Sequence, residues 1–318
     1  MHAATRPLIG ALALAAALLG AGLAQAQDTM RIGFQRSSTL MTILKTNGEL
    51  EAALAPLNVK VAWHEFASGL PILESLNVGN LDLSADVADT VPIFAQAARA
   101  KIVYVAEEAA SPTAQAILVP KGSTLGGIEA LKGKKVAVTK GSGSHYLLLA
   151  ALASKQLGFK DITPAYLSPA DGRAALVSGN VDAWVAWDPF LSSAERASGA
   201  RIVADGMGLA SYKRYYLASE AFTDKHPDVL AVVFAKLKGA GEWAKAHPKE
   251  AADLLAPLWT IDTDTIMQAN SRRSYQVGPV SRDSLGEQQR IADAFVAERV
   301  IPFKVDASAA RIWTPPAN

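Results

Sequence analysis

The chain repeats itself. Leu76-Asn77-Val78-Gly79-Asn80-Leu81-Asp82-Leu83 returns as Leu176-Val177-Ser178-Gly179-Asn180-Val181-Asp182-Ala183, and Ala100-Lys101-Ile102-Val103 returns as Ala200-Arg201-Ile202-Val203. Met30-Arg31-Ile32-Gly33-Phe34-Gln35 finds its counterpart in Lys134-Lys135-Val136-Ala137-Val138-Thr139. Each match is short, but the three keep one order and one spacing of roughly 100 residues, too long a period for a stacked solenoid. A chain built this way folds as two similar lobes. Within each copy, short apolar runs alternate with helix-length segments that stop at a glycine, such as Gly79, Gly158 and Gly179. Glycine takes the left-handed helix stop most readily. Strand–helix alternation with short connections implies an α/β fold whose parallel sheets are covered on both faces.

Two apolar stretches fall outside the repeated frame. Ala116–Val119 precedes the second copy and Tyr215–Ala218 follows it. They are expected to pair with each other in the second lobe. Helical patterns over about 227–246, 249–255 and 288–300 then return the chain to the first lobe. The expected organisation is a discontinuous first lobe, 27–111 with 223–318, and a second lobe, 112–222. Two crossovers, near Ser111-Pro112 and near Phe222-Thr223, join the lobes across a cleft.

Residues 1–26 read differently. After Arg6, the run Leu8 to Leu23 carries no charge, and Ala24-Gln25-Ala26 is a small-x-small cleavage site followed by polar Gln27-Asp28. This is the layout of a secretory signal peptide. The run is shorter than the roughly 20 residues of a membrane span. The mature protein is therefore expected to be exported and soluble. Lysine plus arginine total 31 against 30 acidic residues, a balance that points to no nucleic-acid partner. The chain has no cysteine, which excludes thiol nucleophiles, disulfides and thiolate-bound metal. Its five histidines show no metal-ligand spacing, and no Gly-x-Ser-x-Gly elbow occurs. The reading is a non-enzyme with no catalytic residue, no metal and no cofactor.

In open α/β sheets, ligands sit beyond the carboxyl ends of the strands. The turns expected there are Gln35-Arg36-Ser37, Ser68-Gly69 and Ala85-Asp86 in the first lobe. In the second they are Lys140-Gly141-Ser142-Gly143-Ser144-His145 and Trp187-Asp188-Pro189. The Gly/Ser run enters a helix, where unpaired backbone N–H groups can hold an anion. Its serines add hydroxyl donors, or act as ordinary helix caps. His145 donates to an anion or caps the helix. Asp188 caps the helix begun by Pro189, and Trp187 walls a ligand tail or packs in the core. Arg36 pairs with an anion or stays solvated. Arg272-Arg273 reads as a solvated basic pair, or one of the two reaches the ligand.

Several stretches together resemble the periplasmic aliphatic-sulfonate-binding proteins of ABC importers. They are Arg31–Gln35, Glu74–Gly79, Pro92–Ala97, Lys140–His145 with Leu147–Leu149, Gly179–Trp184, Trp187-Asp188-Pro189, Val305-Asp306 and Arg311–Trp313. The resemblance implies a type II two-lobed periplasmic binding protein that captures organosulfonates for sulfur acquisition. It implies an ABC permease with its ATPase as partners, a periplasmic location, and only peripheral docking at the inner membrane. The ligand-binding residues it implies are the Gly141–His145 turn, namely Ser142, Gly143, Ser144 and His145, with Gln35, Ser68 and Gly69, and with Trp187 and Asp188 on the tail side. Arg36, Ser37 and Asp86 complete the candidate set. Taurine, nitrate or a sulfate ester are alternative ligands, because the Gly-Ser-x-Ser-His and Trp-Asp-Pro motifs are shared with taurine and nitrate relatives. An enzyme alternative is the thiamine-pyrimidine synthase fold, whose Cys-rich segment is missing here. One stretch departs from the family pattern: Ala85–Pro92 has no glycine, one proline, and one extra residue. That departure is expected to reshape one cleft wall, where Asp86 or Asp89 could accept a proton from a phosphate-like ligand.

Overall fold

The computed structural model describes residues 27–316. The expected signal peptide lies outside the described residues. The first series of elements is β1 (Asp28–Gln35), α1 (Thr39–Asn47), α2 (Glu49–Leu54), β2 (Val59–Phe66), α3 (Gly69–Asn77), β3 (Leu83–Ala88), α4 (Val91–Ala97) and β4 (Ile102–Glu108). The second is β5 (Gln115–Val119), β6 (Lys135–Val138), α5 (Gly143–Ser154), β7 (Thr163–Tyr166), α6 (Pro169–Val177), β8 (Ala183–Trp187), α7 (Phe190–Ser198) and β9 (Arg201–Asp205). The remainder is β10 (Arg214–Ser219), α8 (Glu220–Lys225), α9 (Pro227–Ala246), α10 (Pro248–Trp259), α11 (Thr263–Arg272), β11 (Val277–Gly278), α12 (Leu285–Ala297) and β12 (Arg311–Ile312).

The strands form two sheets with one shared plan. The first runs β11-β4-β10-β3-β1-β2, with β12 also on β4; the second runs β7-β6-β8-β5-β9. Matched strand for strand, β2-β1-β3-β10-β4 corresponds to β7-β6-β8-β5-β9. The duplicated sequence builds duplicated bonds. Asp82 Oδ2 accepts the Arg31 N–H at 2.8 Å, and Asp182 Oδ2 accepts the Lys135 N–H at 2.7 Å. Gly79 and Gly179, at φ 79° and 74°, close the equivalent helices α3 and α6, a conformation that suits glycine because it has no Cβ to clash.

The pairing of the two extra strands corrects the sequence expectation. Ala116–Val119 does not meet Tyr215–Ala218. β5 lies antiparallel between β8 and β9, and β10 lies antiparallel between β3 and β4. Each sheet leaves one slot between its third and fourth parallel strands, and the strand that follows the other lobe's series fills it. The return crossover therefore falls between Asp205 and Arg214, not near Phe222-Thr223. The exchange has a geometric consequence. Because β10 is antiparallel, its first residue, Arg214, lies opposite Ala88 and Glu108, at the carboxyl ends of β3 and β4. β5 likewise begins with Gln115 opposite Trp187.

The first sheet's core joins Met30, Ile32 and Leu83 to helices α1, α9, α10 and α11 through Leu40, Leu230, Leu255 and Ile266. The second sheet packs Val136, Val138 and Val185 against Leu147, Leu148 and Leu152 of α5. A further apolar cluster bridges the lobes: Phe295 and Ile291 of α12 meet Ile93 of the first and Leu149 of the second. The crossovers also touch. Gly206 donates its N–H to Pro112 O at 3.0 Å, and a Cβ built at Gly206 would lie 2.5 Å from that oxygen and 2.6 Å from Ala210 O. Both obstacles are backbone, so neither can swing away. Gly206→Ala should therefore destabilise the protein by about 1–3 kcal/mol, the cost of overpacking. Thermal melts measure this; an unchanged melting temperature would show that the crossovers yield freely.

Candidate functional site

A cavity opens where the carboxyl ends of the two sheets face each other. Gln35, Ser68, Gly69, Leu70, Ala88 and Val91 line it from one side, Lys140, Ser142, Gly143 and Trp187 from the other, with Tyr212 and Arg214 from the return crossover. Its free volume is about 10 Å³, room for about one water molecule. The cleft is thus closed, and it is sealed by direct bonds: Thr90 Oγ1 of the first lobe donates to Gly141 O at 2.9 Å. Gly141 sits at φ 73°, and a Cβ there would lie 3.2 Å from Leu70.

Two helices aim their N-termini at this space. Ser68 precedes α3 without making any side-chain cap bond, so the first N–H groups of that helix stay bare. Gly69 fits because a side chain would press to 3.0 Å from Val87. Ser142 caps α5. Its Oγ accepts the His145 N–H at 3.3 Å and donates to Thr139 O at 2.7 Å. The N–H groups at the start of α5 remain for a ligand. Gly143 must lack a side chain, since a Cβ there would lie 2.5 Å from the Tyr212 ring. Helix N-termini carry partial positive charge, and two of them facing one cavity favour an anion.

Arg214 forms the floor and was not anticipated from the sequence. Its Nη1 donates to Tyr212 Oη at 2.9 Å, its Nη2 to Asp86 O at 3.0 Å and Ser37 Oγ at 3.3 Å, and its Nε lies 2.5 Å from Asp86 Oδ2. Asp86 corrects the expectation that placed it in a turn. β3 runs on to Ala88, so Asp86 is a strand residue, wholly buried behind Arg214. Burial pushes its carboxyl up, and Arg214 pulls it back. Gln35 donates its Nε2 to Asp86 O at 3.1 Å and lines the cavity. Ser37 is buried behind Arg214, and Arg36 is exposed.

The remaining candidates divide. Trp187 lines the cavity, packs edge-on against Phe190, and has a buried Nε1–H with no partner. Asp188 does not line it; its Oδ1 accepts from Ser192 N at 2.9 Å and from Ser192 Oγ at 2.6 Å. Ser144 is fully buried with an unpartnered Oγ, and it is not the helix cap. His145 lies outside the cavity lining, stacked on Phe159, with Nδ1 accepting the Gly141 N–H at 3.1 Å. It shapes the turn instead of reaching an anion. Burial pushes its imidazole down to about 3, so it is neutral. Among the described residues, no carboxylate lines the cavity and no group of three or more His, Cys, Asp or Glu is placed to hold a metal ion.

Asp89 also stays out of the cavity lining, and its Oδ2 accepts the Lys213 N–H at 3.2 Å. Burial, aided by the Glu287 carboxylate, pushes its carboxyl up to about 8. The folded protein keeps that proton to about pH 8, whereas the unfolded chain releases it near pH 3.9. Stability therefore falls as pH rises between those values, by up to about 1.4 kcal/mol per unit. His145 has the opposite sign, because the unfolded chain takes up its proton below about pH 6.5 while the folded state stays neutral to about 3. The two offset each other from about pH 4 to 6.5, and of these two only Asp89 acts from there to 8. Asp89→Asn should remove the loss of stability between about pH 6.5 and 8. Denaturant titrations of both proteins at the two pH values check it; equal losses would mean that Asp89 is ionised when folded.

The chain is 39% identical to the aliphatic sulfonates-binding protein of Escherichia coli (strain K12), across 91% of this chain and 89% of that one. The crystal structure of the periplasmic aliphatic sulphonate binding protein SsuA from Escherichia coli matches with a TM-score of 0.81, covering 90% of this chain and 97% of that one. The alkanesulfonate-binding protein SsuA from Xanthomonas axonopodis pv. citri bound to MOPS matches at 35% identity and a TM-score of 0.84, covering 90% and 98%. Residues 58–251 match the NMT1/THI5 like family. With the two-lobed fold, the facing helix N-termini and the close relatives in agreement, the chain belongs to the NMT1/THI5-like family.

Proposed function

We propose that this protein is the periplasmic solute-binding component of an ABC importer and captures aliphatic sulfonates for delivery to a permease and its ATPase. The observation that carries the reading is the donor set of the cavity. Two helix N-termini, Arg214 and Gln35 meet there beside Trp187, whose indole N–H is buried without a partner, and among the described residues no carboxylate lines the space. A sulfonate is fully ionised near neutral pH, so it needs donors and no proton acceptor. A protonated phosphate would need an acceptor, and both Asp86 and Asp89 stand behind the wall. Leu70, Ala88, Val91 and Trp187 supply the apolar lining an alkyl tail requires. The relatives named above bind sulfonates, one of them with MOPS in place. Ser68, Gly69, Ser142 and Gly143 supply the remaining contacts in this reading.

Calorimetry with an alkanesulfonate tests the proposal. Saturable binding of an alkanesulfonate, with taurine and nitrate weaker, is expected. Trp187→Phe keeps a smaller aromatic face and deletes the donor, so it should weaken binding by about 1.5–3 kcal/mol, the worth of a hydrogen bond to a charged group. Full affinity in that variant would leave Trp187 as a wall only, and absence of any sulfonate binding would defeat the function.

The periplasmic location rests on the Ala24-Gln25-Ala26 site and on the relatives. Among the described residues no helix is long and apolar enough to cross a membrane. Terminal sequencing of the protein from a periplasmic extract should begin at Gln27. An intact chain retained in the membrane fraction would contradict export with cleavage.

A further inference from the structure

Arg272 and Arg273 are adjacent, yet they bind opposite lobes. Arg273 turns into the first. Its Nη2 lies 2.6 Å from Glu108 Oε2 and 3.3 Å from Asp86 Oδ2, and it is 3% exposed. Arg272 turns to the second. Its Nη1 lies 2.8 Å from Glu195 Oε2 and 3.6 Å from Asp188 Oδ2, and donates to Ser192 Oγ at 3.2 Å. The helix that carries Arg272, α11, is seated in the first core through Ile266. It reaches α7 twice more, where Gln268 Nε2 donates to Glu195 Oε2 at 3.0 Å and where Asp264 Oδ2 accepts from Arg196 Nη2 at 3.3 Å. Asp188, held by Arg272, directly follows Trp187 of the cavity wall.

We infer that Arg272 and Arg273 form a two-headed clamp that holds the cleft shut, with Arg272 a positioning residue for the Trp187 wall and not a ligand contact. The inference rests on the reading of the cavity as the ligand site. The cavity holds about one water, so a sulfonate enters only when the lobes part. Parting carries Asp188, Ser192 and Glu195 away with the second sheet, while Arg272 stays with the first. The bonds of Arg273 lie within the first lobe and survive. Only the Arg272 half opens. The side chains of Arg272 and Glu195 are 17% and 21% exposed, so water replaces their lost contact at modest cost, and that pair opens and recloses reversibly. A wholly buried pair would leave uncompensated charge on opening and lock the cleft. The clamp therefore restrains entry and exit alike, since both pass through the open form.

Arg272→Met tests this, because it keeps an apolar stem and removes the charge. In ligand-free protein, small-angle scattering should show a larger radius of gyration than wild type. With MOPS as the probe, stopped-flow measurements should show both the association and the dissociation rate constants raised, by roughly threefold to tenfold. Arg272→Lys, which keeps the charge without the planar fork, should recover part of both shifts. A residue that only supports the fold would lower the melting temperature and leave the scattering profile and both rate constants unchanged, and that outcome overturns the clamp. So would a Lys variant indistinguishable from Met. The scattering arm needs no ligand, so a failure to bind sulfonates would sink the proposed function while this test still decides the clamp.

Discussion

Four buried charges hold the molecule's centre together. Asp86 of β3, Glu108 of β4, Arg214 of β10 and Arg273 beyond α11 are all nearly inaccessible to water, and they are joined by contacts of 2.5 to 3.3 Å. Two positive and two negative groups leave no net charge, which is the condition under which such a cluster can be buried at all. Tyr216 Oη completes it by donating to Glu108 Oε1 at 2.7 Å. Removing one member would strand its partner in the core, at a cost of about 3–5 kcal/mol. The cluster cannot be formed by either half of the chain alone. Asp86 and Glu108 come from the first series, Arg214 arrives only after the chain has built the second sheet and returned, and Arg273 comes later still. The charges thus tie the exchanged strand β10 to its slot, and so specify which sheet it joins.

The same neutrality shapes the site above. Arg214 reaches the cavity with most of its donors spent on Asp86, Ser37 and Tyr212. It gives an anion direction without a large unbalanced positive charge. The backbone dipoles of α3 and α5, whose first N–H groups are fixed by the helices behind them, face the cavity and favour an anion. Fixed dipoles need no reorganisation when the ligand arrives. Lys140, at the rim and exposed, adds a screened long-range field. The absence of a lining carboxylate among the described residues separates a permanently ionised ligand from one that brings a proton.

Much of this was legible in the sequence, and the exceptions share a cause. The repeat identified matching strands and the glycine stops at Gly79 and Gly179 because local bonds, such as Asp82 to Arg31 and Asp182 to Lys135, recur with the residues; the stop expected at Gly158 fails, since α5 ends at Ser154 and Gly158 has φ −138°. The rule that ligands meet strand ends pointed to Gln35, Ser68, Gly69, Ser142, Gly143 and Trp187, which line one cavity. Arg214 was missed because β10 was assigned to the wrong sheet, and a strand's partners are set by the far side of the chain. A signal existed: Arg214 opens an otherwise apolar run, Tyr215-Tyr216-Leu217-Ala218, and a charge there needs a buried partner. Helix α11 was missed because only Thr265, Ile266, Ala269 and Asn270 are buried on it, too few to print a clear apolar stripe. Its start was readable in Asp262, whose Oδ1 caps the Thr265 N–H at 2.9 Å. His145 read as an anion donor or a helix cap because it stands beside the serines, whereas the aromatic shell of Phe159, Tyr166 and Phe295 is drawn from distant segments.

Closure is therefore supported from two sides by different physics. On one side, α12 lays Phe295 across Phe94 of the first lobe and Tyr146 of the second. On the other, α11 makes polar bonds to α7. The apolar seat is non-directional and tolerates a small rotation, since sliding rings keep most of their contact. The ionic side tolerates little, because hydrogen bonds weaken steeply once their angle and length are lost. A rotation that opens the cavity by pivoting on α12 would break the ionic contacts first while keeping much of the apolar burial. The fold thus separates the two tasks a binding protein has. Apolar contact keeps the lobes together through the cycle, and a few polar bonds next to the ligand wall determine whether the mouth is open or shut.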